Sequence, residues 1–131
     1  MDSELLGFLP PPLRKVYERP TMHIHLESWD VILGYIAGYD AASGDVFLDG
    51  FREWAIPCLD RGWSLAWSAL LRQLVSDSEP GRDEIRSALR VIAEFRRDVA
   101  TSLGRRRVYF ELERWLKSQS WHKDDSPDWI A

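Results

Sequence analysis

The sequence predicts an all-α, single-domain bundle of about five helices. Apolar residues recur three and four positions apart in every long segment, the spacing of one helical face. No stretch alternates polar and apolar between hairpin turns, and no repeat occurs at a fixed period. Clusters of Pro, Gly, Asp and Ser cut the chain into helix-length pieces. With 131 residues, 45% apolar and 29% charged, the chain fits one domain (1–131) with a real core.

Residues 1–12 read as an arm in which Leu5, Leu6, Phe8 and Leu9 pack back on the body. Pro10, Pro11 and Pro12 favour an extended segment and are expected to forbid helix through them. Residues 13–18 make a short helix, which must stop before Pro20 because a residue preceding proline is pushed out of the helical region. The helix that follows, to about Ala42, is the clearest amphipathic element and the expected centre of the fold. Trp29, Ile32, Leu33, Ile36 and Tyr39 form its stripe. Ser28 reads as its N-cap, Asp30 suits its first turn, and Gly44 stops it. Gly34 and Gly38, four apart, would let another helix approach closely.

Asp45 reads as the cap of the next helix, with Phe47, Phe51, Trp54, Ala55 and Cys58 on one face and Pro57 ending or kinking it. Asp60-Arg61-Gly62 makes a turn. A third helix carries Trp63, Trp67, Leu70, Leu71 and Leu74. After the Glu79-Pro80-Gly81 breaker, a fourth and longest helix runs to about Leu103. Ile85, Leu89, Ile92 and Val99 face inward on it, with Phe95 or Arg96 between them; Arg86, Arg90, Glu94, Arg97 and Asp98 face out. Gly104 is expected to end it. Arg105, Arg106 and Arg107 then open a last helix with the stripe Val108, Leu112, Trp115 and Leu116. Residues 119–131 form an acidic tail in which Trp121 and Trp129 would pin the chain to the body.

Composition narrows the function. A net charge of −4 and a pI near 5.4 argue against a general nucleic-acid or anionic-membrane binder. Seven Trp imply either a Trp-heavy core or aromatic anchors on the surface. The single cysteine, Cys58, forms no internal disulfide. The acidic N-terminus lacks the basic start of a signal peptide, and no apolar run approaches the roughly 20 residues of a membrane span. A cytoplasmic location is the expectation.

Candidates for chemistry are few. His23 and His25 could present two imidazoles to a metal if extended, but a site needs three or four ligands. His122 is remote in sequence and Glu18 or Glu27 would have to complete it, so neither metal nor cofactor is expected. Cys58, beside Pro57 on an apolar face, reads as an inert core thiol. No nucleophile elbow and no glycine-rich phosphate loop occurs, and no catalytic residue is assigned. The pairs Glu111 with Glu113 and Asp83 with Glu84 point their members in different directions on a helix and read as solvated faces. Arg105, Arg106 and Arg107, joined by Arg96 and Arg97, could contact phosphate. Internal pairing or a partner's acidic surface fits an acidic chain better.

Arg19-Pro20-Thr21-Met22-His23 followed by Leu33-Gly34-Tyr35-Ile36-Ala37-Gly38-Tyr39 resembles a pattern in small bacterial proteins. There, Arg-Pro-x-Met-Tyr precedes a helix ending in Gly-Tyr, and a Phe…Gly-Phe…Trp helix follows; Phe47, Gly50, Phe51 and Trp54 match the latter. The resemblance covers about residues 18–67, and His23 departs from it where Tyr is usual. It implies an immunity or accessory protein of a toxin system. The Arg-Pro-x-Met string is also similar to the start of gyrase-type ATPases, whose acidic and glycine-rich ATP motifs are absent here. The expected function is a non-catalytic protein-binding domain that neutralises a cognate toxin. Asp124, Asp125, Asp128 and Trp129 in the tail are its candidate contacts with a basic partner. Two alternatives are a small enzyme or metal module on His23 and His25, and a regulatory nucleic-acid-associated protein using Arg105 to Arg107.

Overall fold

A computed structural model describes residues 1–19, 29–78 and 83–121. Helix is the only regular secondary structure among them, so the all-α expectation holds. Among the described residues seven helical segments occur in place of about five, the first two being short: α1 (Ser3–Leu6), α2 (Pro11–Glu18), α3 (Trp29–Ala42), α4 (Phe51–Leu59), α5 (Trp67–Ser78), α6 (Glu84–Asp98) and α7 (Ser102–Ser118).

The proline run behaves differently from expectation. Pro10 is extended as the N-cap, and Pro11 and Pro12 occupy the first helical positions of α2. Those positions have no intrahelical acceptor for an N–H, so two prolines there lose nothing. Leu9, Leu13 and Val16 are buried beneath this corner. The far end of α2 is closed by Arg86, whose Nε donates to the Tyr17 carbonyl at 2.9 Å and Nη2 to the Glu18 carbonyl at 3.2 Å.

The element that organises the molecule is α6. It packs against α1, α2, α3, α5 and α7. Ile85, Ser87, Ala88, Leu89, Val91, Ile92, Ala93 and Phe95 are all buried on it, a wider face than the inner stripe predicted. The Asp83 side chain caps it by accepting the Arg86 N–H at 3.1 Å.

By contrast α3, the expected centre, buries only Ile32 and Ile36. Trp29 is half-buried under the Arg72 guanidinium, 5.1 Å from the ring, so it is no enclosed core residue. Among the described residues no helix packs closely on the Gly34–Gly38 side: a Cβ at either position would meet nothing within 4 Å. After Ala42 the chain turns through Gly44 and Asp45, both with positive φ. The N-cap of the next helix is Gly50 and not Asp45 as expected. Asp40 Oδ1 takes the Leu48 N–H at 2.9 Å, and Gly50, with φ +86°, precedes α4.

Within α4, Phe51, Ala55, Ile56 and Leu59 are buried. Pro57 stands in the last turn, and the helix ends two residues on, with Asp60 left-handed. Phe51 meets Phe95 edge-on at 5.2 Å, and Trp54 lies 5.7 Å from the same ring, joining α4 to α6. Gly62 (φ +95°) completes the turn; Trp63 stays in it, and α5 starts at Trp67 with Leu70, Leu71 and Val75 enclosed. Trp63, Trp115 and Trp121 then pack pairwise, tilted or edge-on, with ring centroids 6.0–6.3 Å apart. Trp121 thus holds the end of the described chain against the body. None of the described helices is long and apolar enough to cross a membrane.

Candidate docking surface

The α6–α7 corner sets the geometry. The long fourth helix expected to reach Leu103 stops instead at Asp98. Thr101 Oγ1 accepts the Gly104 N–H at 2.9 Å and caps α7. The turn is so tight that a Cβ on Gly104 would lie 2.0 Å from the Asp98 carbonyl oxygen, so only glycine fits. Gly104 therefore lies in the first turn of α7, where the sequence had placed a helix end. Arg105 Nη1 braces the corner on the Val99 carbonyl at 3.2 Å.

From this start, α7 presents two opposite sides. Val108, Leu112, Trp115 and Leu116 are buried, as predicted, and Trp115 Nε1 donates to Asp60 Oδ1 at 2.7 Å. On the other side Leu103 is 67% exposed and Phe110 57% exposed, seven residues apart and so on one azimuth. Tyr109, 47% exposed, flanks them. Arg106 and Arg107, also exposed, make no ion pair among the described residues. Farther along, Arg114 faces Glu111 at 3.6 Å and Lys117 faces Glu113 at 2.9 Å.

Beside this crest lies a groove of about 530 Å³ between α4 and α7, with Trp54, Pro57, Leu103 and Val108 supplying its apolar wall and Glu53, Arg107 and Glu111 its charge. Asp98 is already engaged in it, accepting from Trp54 Nε1 at 2.9 Å and from Arg97 Nε at 3.2 Å. A hollow of about 230 Å³ opens on the Tyr109 side, with Val46, Asp49, Arg96 and Arg105. Burial, then Glu53 and Asp49, push the Tyr109 hydroxyl above its ordinary pKa. Arg96 is spent internally: Nη1 donates to the Phe47 carbonyl at 3.0 Å and the guanidinium sits 5.2 Å from the Phe47 ring.

Cys58 does not lie in the core. It is exposed on the groove wall, because a nine-residue helix carrying Phe51, Ala55 and Leu59 inward turns position 58 outward. Its thiol is nonetheless pushed above its ordinary pKa, by burial first and then by Asp98 and Glu94. A higher pKa lowers the fraction of nucleophilic thiolate at a given pH.

The arginines expected to act together are divided. Arg97 and Arg107 border the groove, Arg96 and Arg105 border the hollow, and Arg106 projects from the crest. Glu18 is exposed, and His23, His25, Glu27 and His122 lie outside the described residues, as do Ser28, Asp124, Asp125, Asp128 and Trp129. Among the described residues no three His, Cys, Asp or Glu side chains gather as a metal site. Sequence reasoning missed Leu103 and Phe110. The signal was present: on a wheel of residues 102–118 both fall opposite the Val108–Leu112–Trp115 stripe, an apolar pair on a charged side. No family model, no curated protein and no solved structure matches the chain.

Proposed function

We propose that this protein is a non-catalytic binding domain that docks another protein on the outer side of α7. The observation that carries the reading is the exposure of Leu103, Tyr109 and Phe110 together on one helix. Large apolar side chains clustered on a surface mark interaction sites, and aromatic and arginine residues dominate the energetics of such contacts. Arg106 and Arg107 stand beside them with their donors uncommitted among the described residues. The groove next to the crest offers a concave place for a partner's side chain.

The resemblance around residues 18–67 supplies the biological form of this reading: an immunity protein that blocks a toxin by covering it. Such an inhibitor needs only a stable scaffold with complementary charge and a few aromatic anchors. The test is affinity capture from the native host with the full chain as bait, read by mass spectrometry beside a Phe110→Asp bait. A partner held by the parent and lost by the variant is expected. Coexpression with a neighbouring toxin-like gene should restore growth with the parent and fail with the variant. The same partners on both baits would refute the α7 surface.

A further inference from the structure

Resting on that reading, we infer that the α7 crest takes an acidic amphipathic helix of another protein. Leu103 and Phe110 are two helical turns apart, roughly 10.5 Å along the axis. That is the spacing at which the i and i+7 residues of a partner helix meet them. The adjoining groove, walled by Trp54, Leu103 and Val108, lies where one further apolar side chain of that helix would seat.

Charge selects the partner's sign. On the crest side α7 carries Arg106, Arg107, Arg114 and Lys117 against Glu111 and Glu113, four cations to two carboxylates. The whole chain has net charge −4, so this side is locally opposite to the rest of the molecule. Arg106 and Arg107 flank the apolar pair and have no carboxylate of their own among the described residues. The pairs that Arg114 and Lys117 make are solvent-exposed and exchange readily for a partner's carboxylates.

Other occupants fit less well. Nucleic acid would meet apolar Leu103 and Phe110, which give a phosphate backbone nothing to bind, at the centre of its contact. A second copy laid symmetrically along α7 would bring arginines against arginines. A basic partner faces the same repulsion. An acidic helix with an apolar stripe satisfies both the crest's shape and its charge.

The experiment selects soluble helical peptides from a displayed library against the full-length chain, then measures binding to the parent, Arg106→Glu/Arg107→Glu and Phe110→Ala. All three changed positions are exposed, and an unaltered unfolding midpoint verifies that the variants fold. Expected winners are net negative with apolar residues at i, i+3 or i+4, and i+7. Their affinity falls as salt rises, by at least about tenfold in the double charge reversal, and by about thirtyfold in Phe110→Ala. Selection of basic helices, or acidic peptides indifferent to the charge reversal, overturns the inference. So does a parent chain that sediments as a dimer and becomes monomeric with Phe110→Ala, which assigns the crest to a second copy. So does tighter binding of a random oligonucleotide that the charge reversal abolishes. A host partner captured through Phe110 but engaged by a basic helix removes this inference alone; capture indifferent to every α7 change removes the docking reading with it.

Discussion

Both sides of α7 carry large hydrophobic side chains, and these have opposite fates. Val108, Leu112, Trp115 and Leu116 are covered by α4, α6 and the Trp63–Trp121 pair. Leu103 and Phe110, on the same helix, stand in solvent. Hydrophobicity therefore does not assign burial; a neighbouring element with a complementary stripe does. Where the fold supplies none, as at Leu103 and Phe110, apolar side chains stay in solvent.

The comparison breaks most visibly under truncation. Leu116→Ala should destabilise the protein by about 2–5 kcal/mol, since it removes a fully enclosed side chain and leaves a cavity. Phe110→Ala, a larger deletion on the open side, should shift stability by no more than about 0.5 kcal/mol. Urea unfolding of both variants decides the matter, and equal losses would mean that Phe110 is packed.

A second strong effect is expected where the two sides are set apart. Gly104→Ala puts a methyl group against the Asp98 carbonyl and should lower stability by about 1–3 kcal/mol through strain at the corner. Its crest residues should then lose their register with the groove, so partner binding weakens too. A variant as stable as the parent would show that the corner can open freely.

A smaller loss belongs to the covered side. Trp115→Phe keeps a ring but deletes the donor to Asp60, and it should lose about 0.5–1.5 kcal/mol. Tryptophan fluorescence should also change, because Trp63 and Trp121 lose their indole neighbour. No change in emission would disprove the three-ring cluster.

The smallest effect is chemical. Cys58 has its folded pKa raised, so the protonated thiol is favoured in the native state. The associated stability is complete below the unfolded thiol's pKa and is lost as pH rises through the higher folded value. Alkylation by iodoacetamide in mildly alkaline buffer should accordingly be slower in the native chain than in urea. Equal rates would show that Asp98, Glu94 and the groove wall leave the thiol unperturbed.

What the sequence by itself determined is local. Periodicities of three and four placed the inner stripes of α6 and α7, and left-handed glycines ended helices and made turns at Gly44 and Gly62. These follow from backbone sterics and from which residues share a helical face. The tertiary structure decided everything that depends on how helices meet. It made α6 the hub although α3 is the more apolar helix, turned Cys58 outward, split the arginines between two hollows, and left Leu103 and Phe110 uncovered. A helical wheel specifies which residues point the same way, but burial requires a second surface arriving from elsewhere in the chain. Its arrival is set by turns such as the one Gly104 permits, where 2.0 Å separates a would-be Cβ from the Asp98 carbonyl oxygen.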